Sequence, residues 1–77
     1  MKYSLVKVET LTPGARFVCL ERPGPWAELT PMTYTVARKG CKTTLFQPYE
    51  WGMFASKDGS SNQYFFADGS LVFAEDP

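Results

Sequence analysis

Glycine and proline interrupt this chain so often that a helix of ordinary length has almost nowhere to form. The sequence holds six of each, and beyond residues 1–12 no uninterrupted segment exceeds nine residues. Proline inside a helix removes a hydrogen bond and clashes with the preceding turn, while glycine costs backbone entropy there. The intervening segments instead favour strands: Phe17-Val18-Cys19-Leu20, Thr33-Tyr34-Thr35-Val36 and Thr43-Thr44-Leu45-Phe46. Their β-branched and aromatic side chains suit a pleated, half-buried surface. The expectation is one all-β domain spanning residues 1–77. Its five to six short strands form a small curled antiparallel sheet or a partly open SH3-like barrel, ending in a C-terminal meander.

Turn chemistry punctuates that sheet. The first strand is expected over Lys2 to Val8, although Tyr3 and Leu5 point one way while Val6 and Val8 point the other. In Thr12-Pro13-Gly14-Ala15, proline presets φ for position i+1 of a type II turn and glycine supplies the positive φ at i+2. A strand then starts at Arg16 or Phe17. Arg22-Pro23-Gly24-Pro25-Trp26 reads as an exposed loop carrying a tryptophan, since two prolines cannot donate to a central ladder. Arg38-Lys39-Gly40-Cys41-Lys42 reads as the basic tip of a hairpin. Pro48-Tyr49-Glu50-Trp51-Gly52 reads as one helical or 3₁₀ turn.

Asp58-Gly59 and Asp68-Gly69 both suit two-residue type I′ hairpin turns, defining strands over Met53–Lys57, Ser60–Ala67 and Ser70–Glu75. Folding the last two strands about Asp68-Gly69 sets Phe66 against Leu71 and Tyr64 against Phe73 on one side. Phe65 then faces Val72, and Gln63 faces Ala74, on the other. Both sides of that ribbon are therefore apolar, and both need cover. The curled sheet itself supplies it if residues 1–20 lie over one side and the Trp26 loop or the Pro48–Gly52 turn over the other. Another chain is the alternative source.

Net charge is zero, which argues against a general electrostatic grip on nucleic acid or anionic lipid. The zero conceals an asymmetry: residues 1–42 carry +4 and residues 43–77 carry −4. Packing of the two halves against one another would satisfy it. No apolar run reaches the length of a signal peptide or membrane span, so no membrane association is expected. Cys19 and Cys41 do not make a disulfide framework and read as thiols of a cytoplasmic protein, with Cys19 in a strand core. With no histidine in the chain, metal, cofactor and nucleophilic catalysis all lack their usual parts. Cys41 beside Lys39 and Lys42 reads as a turn residue. Asp58 and Asp68 are explained by their turns, and Glu75 and Asp76 are expected to fray near the end, so no carboxylate pair for general acid–base work is expected.

What remains is a surface. Trp, Tyr, Phe, Met and Arg are enriched in the cores of protein interfaces, and aromatic residues make up 16% of this chain. The expected function is non-enzymatic protein binding, with Trp26 and Trp51 as anchors, Arg38 and Lys39 as a polar rim, and Phe54 and Tyr64 completing the surface. Two alternatives stand beside it. One is single-stranded nucleic-acid or nucleotide binding, in which Trp26, Tyr34, Trp51 and Tyr64 stack on bases and Arg38, Lys39 and Lys42 track phosphates. The other is a structural homo-oligomer.

Leu11-x-Pro13-Gly14-x-Arg16-Phe17, followed by Tyr34-Thr35-Val36 and a terminal Asp68-Gly69, resembles short proteins of bacteriophages and other mobile elements. These open with a Leu-x-Pro-Gly-x-x-Phe turn leading into a small barrel. The resemblance covers about half the chain and rests on turn signatures. It implies a compact cytoplasmic accessory protein that binds and disables a host protein, as anti-defence inhibitors do. It transfers no functional residue, and the chain departs from the pattern in its long Arg22–Pro31 section.

Overall fold

The structure, a computed structural model, describes residues 2–46 and 48–76. Six strands follow one another: β1 (Tyr3–Lys7), β2 (Arg16–Glu21), β3 (Thr30–Lys42), β4 (Glu50–Lys57), β5 (Gln63–Ala67) and β6 (Leu71–Glu75), with one 3₁₀ turn at Val8–Thr10 after β1. All pairings are antiparallel. They form a single sheet in the order β1-β6-β2-β3-β4-β5, which is all-β as expected but not closed into a barrel.

The sheet is curled enough for its ends to share a core. Phe66 on β5 sits edge-on to Phe17 of β2 (5.1 Å between ring centroids) and to Tyr34 of β3 (5.0 Å), although its strand pairs with β4. Phe17 and Tyr34 are themselves stacked at 5.5 Å. Around these rings Val8, Val36, Met53, Ala55 and Val72 are buried, so one residue or more from β2, β3, β4, β6 and the 3₁₀ turn meets in one apolar cluster. Cys19 on β2 is half-buried against that cluster. Burial raises its thiol pKa, and the nearby Glu21 carboxylate adds to the effect. This favours the neutral, unreactive thiol.

The Thr12–Ala15 turn forms as expected. Ala15 N–H donates to the Thr12 carbonyl at 3.0 Å and Gly14 has φ +92°. The two aspartate–glycine turns differ from expectation. A type I′ turn needs positive φ at both central residues, whereas only Gly59 (φ +80°) and Gly69 (φ +91°) are positive and both aspartates are not. With Ser60 N–H bonded to Lys57 O and Ser70 N–H to Ala67 O, both have the type II pattern.

That pattern splays the flanking strands instead of twisting them together. At Asp58-Gly59 a longer loop through Asn62 restores the hairpin, and β4 pairs with β5. At Asp68-Gly69 no loop intervenes, and the chain turns a corner. β6 leaves β5 and enters the sheet between β1 and β2, setting Leu5 against Phe73, Val6 against Val72, and Phe73 against Val18. The expected terminal ribbon, with Phe66 facing Leu71 and Phe65 facing Val72, therefore does not exist. Each half turns one side to the core, through Phe66 on β5 and Val72 on β6, while Leu71 and Phe73 on the other side of β6 stay open to solvent.

Two further boundaries shift. Arg38–Lys42 is not a hairpin tip but the second half of β3, and Glu50–Gly52 is not a helical turn but the start of β4. The cross-strand pairs Lys42–Glu50, Cys41–Trp51 and Gly40–Gly52 hold this extension together. Glu75 and Asp76, expected to fray, are anchored: Glu75 lies in β6, and the Asp76 amide bonds the Lys2 carbonyl while its carboxylate accepts from Ser4 Oγ.

Candidate functional site

Strand β2 pairs with β3 only from Thr30 to Thr35, so beyond Val36 the β3–β4 ribbon runs on without β2 beside it. The result is an arm whose described connecting residues, 43–46 and 48–49, lie past the last strand pair. Its tip is bare. Leu45 is 99% exposed and Phe46 97%, Tyr49 is exposed, and Trp51 at the base of the tip is 62% exposed. Sequence reasoning assigned Leu45-Phe46 to a strand and missed this. The signal available was an apolar pair followed by Gln47-Pro48, where proline bars a continuing central strand.

One extra residue decides which side chains decorate the arm. The β3–β4 register shifts between Val36, which pairs with Ala55, and Arg38, which pairs with Phe54, leaving Ala37 as a bulge. A bulge exchanges the faces of everything beyond it. Arg38 therefore joins Phe54 on the outer face, and its guanidinium lies 4.1 Å from the ring centroid. Lys42 lies 5.6 Å from the Phe65 ring on the same face, and the two rings are 5.2 Å apart. Gly40 and Gly52, paired across the ribbon, form the floor beneath these rings. A Cβ at Gly40 would come within 2.8 Å of Phe54, and one at Gly52 within 2.7 Å of Phe65. The outer face of the arm thus carries two aromatic rings roofed by two cations. Lys39, Cys41 and Trp51 stand on the opposite face, in line with buried Met53.

The structure brings Trp51, Arg38, Lys39 and Phe54 together on the arm, though on its two faces. Trp26 is elsewhere. It is 97% exposed in the β2–β3 loop, at the other end of β3 from Trp51. The strand from Thr30 to Cys41 runs about 35 Å along the chain at roughly 3.3 Å per step. Tyr64 faces the core side of β5 and packs edge-on against Tyr34 at 5.8 Å, with its outer edge open.

Several other polar groups have structural partners. Tyr34 donates its hydroxyl to Glu21, and Lys57 Nζ lies 3.4 Å from the same carboxylate. Burial, then the bond to Glu21 and its negative charge, raise the Tyr34 pKa strongly, so the phenol stays protonated. Arg16 and Asp58 pair at 2.7 Å, joining the basic and acidic parts of the sequence. Glu21–Lys57 runs against that asymmetry. Glu9 accepts from the Gly69 amide at 2.7 Å, which holds its pKa below the usual carboxylate value.

A second apolar surface covers the outer face of β1, β6, β2 and β3. A shallow groove of about 380 Å³ opens there between Tyr3, Val18, Pro31, Thr33 and Phe73. Among the described residues, no helix is long and apolar enough to cross a membrane. Comparison of the chain with protein-family models, curated proteins and solved structures finds no match.

Proposed function

We propose that this chain is a non-enzymatic protein-binding module that engages its partner through the β3–β4 arm. The observation that carries the reading is the bare Leu45-Phe46 tip, which rests on no part of its own fold. Phenylalanine and leucine held clear of the core contribute nothing to folding, yet supply an anchor that can fill a partner's pocket. The tip is followed by Tyr49 and Trp51 and stands on a stem bearing Arg38, Lys39 and Lys42. A partner with an apolar pocket rimmed by carboxylates fits it in both shape and charge. The resemblance to phage and mobile-element proteins supports a host protein as that partner and a cytoplasmic site of action.

The test is affinity capture from nuclease-treated host lysate, comparing the wild-type chain with the Leu45→Ser/Phe46→Ser variant. The reading predicts a discrete protein retained by the wild type and lost from the variant. Equal capture by both, or capture that vanishes with nuclease, contradicts it. In the second case the cation-roofed rings of the arm would be a strand-binding platform instead.

A further inference from the structure

Strand β1 is an open edge whose exposed backbone and exposed apolar side chains belong to the same residues. The bonds from Asp76 N–H to Lys2 O and from Val8 N–H to Ser70 O flank the β1–β6 ladder at its two ends. Hydrogen-bonded pairs alternate along an antiparallel ladder, so Ser4 and Val6 direct their amides and carbonyls toward β6. Tyr3, Leu5 and Lys7 direct theirs away from the sheet. Among the described residues only one of these outward groups is engaged, the Lys7 carbonyl, which accepts from Thr10 Oγ1 at 2.7 Å and keeps a second lone pair. Side chains alternate with the same period. Val6 packs on the core, while Tyr3 and Leu5 are exposed, Leu5 by 58%, on the outer face beside Phe73.

We propose that the occupant of this edge is a second copy of the chain, paired antiparallel along β1 about a two-fold axis through Leu5. The register is self-consistent: Leu5 meets Leu5 of the partner copy, Tyr3 meets Lys7 and Lys7 meets Tyr3. Every residue so matched is one whose backbone groups point outward, so the ladder closes with two hydrogen bonds at Leu5 and two at each Tyr3–Lys7 pair. The side chains agree. The two leucines bury one another and extend the apolar row that runs from Val18 through Phe73 to Leu5. Each Lys7 ammonium lies over a tyrosine whose other cross-strand neighbour is Glu75, so cation, ring and carboxylate stand in sequence.

The opposite edge does not offer the same match. The bond from Asp68 N–H to Trp51 O leaves Gln63, Phe65 and Ala67 facing outward on β5. There the Ala67 carbonyl already takes the Ser70 amide, and Phe65 is covered by Phe54 and Lys42 of its own molecule. The pairing along β1 is independent of the arm and would present two arms on one twelve-stranded sheet.

Proline at position 5 isolates the claim, because the Leu5 amide serves only the outward edge and proline is tolerated where a strand's N–H faces solvent. Sedimentation velocity from low micromolar to millimolar chain should show the wild type approaching twice the chain mass. Leu5→Pro should keep the strand circular-dichroism signature and raise the dimer dissociation constant by about tenfold or more. Leu5→Lys, which sets two ammonium groups together on the axis, should do the same without altering the backbone. Hydrogen exchange should show protection of the Tyr3, Leu5 and Lys7 amides that grows with concentration, and constant protection at Ser4 and Val6. A single-chain mass at every concentration would overturn the proposal. So would a dimer insensitive to both substitutions, or concentration-dependent protection at Gln63 and Phe65 instead.

Discussion

Gly52 shows how much of this fold rests on a missing side chain. A Cβ there would be driven into the Phe66 carbonyl oxygen and to 2.9 Å from Ala67 Cα, both backbone atoms of β5 that cannot swing aside. Gly52→Ala should therefore loosen the β4–β5 ladder and lower unfolding free energy by about 1–3 kcal/mol, read from the urea midpoint. Gly24→Ala, where nothing lies within 4 Å and φ is ordinary, should stay within about 0.5 kcal/mol of wild type. Glu9 provides a pH signature at the same scale. The Gly69 amide depresses its folded pKa, so the stabilisation is complete above the pKa of the unfolded chain and is lost as pH falls through the lower, folded value. In an NMR acid titration the Glu9 carboxyl should titrate below an ordinary glutamate, with the Gly69 amide resonance moving at the same midpoint. In Glu9→Gln that coupled shift of Gly69 should disappear.

At the scale of elements, the aspartate–glycine turns carry the instructive difference between sequence and structure. The dipeptide predicts a turn correctly at both sites, though not a hairpin at Asp68-Gly69, and Gly14, Gly59 and Gly69 all take the positive φ assigned to turn glycines. What the dipeptide does not encode is whether the flanking strands pair. That is decided by where the apolar residues find cover: Phe66 meets Phe17 and Tyr34, while Val72 reaches the core from another part of the sheet. Such contacts join residues dozens of positions apart, and local pattern cannot register them. The Ala37 bulge was illegible for the same reason, and with it the face on which Arg38 meets Phe54. The strand content and the exposed loop around Trp26 follow from local chemistry and were readable. Gly69→Ala meets no atom but must hold φ +91° with a Cβ, so it should cost about 1–2 kcal/mol. Because this turn directs β6 toward β1 and β2, exchange of the Val6 and Val72 amides should accelerate before that of the β3–β4 amides.

For the whole molecule, the apolar residues divide into two populations. Val8, Phe17, Tyr34, Val36, Met53, Ala55 and Val72 fold the chain, and Leu45, Phe46, Tyr49 and Trp26 stand outside that core. A domain this small buries only about 60–65% of the surface its unfolded chain exposes, so apolar residues withheld from its core are a sizeable share left for another use. Phe17→Ala, by contrast, removes the ring shared by β2, β3 and β5 and should lose about 3–5 kcal/mol. The division is tested most directly by urea unfolding of the Leu45→Ser/Phe46→Ser chain. An unfolding free energy within about 0.5 kcal/mol of wild type, with the same denaturant slope, is the predicted result. A loss of about 2 kcal/mol or more would mean that the tip packs into its own fold, and that the arm is not the surface offered to a partner.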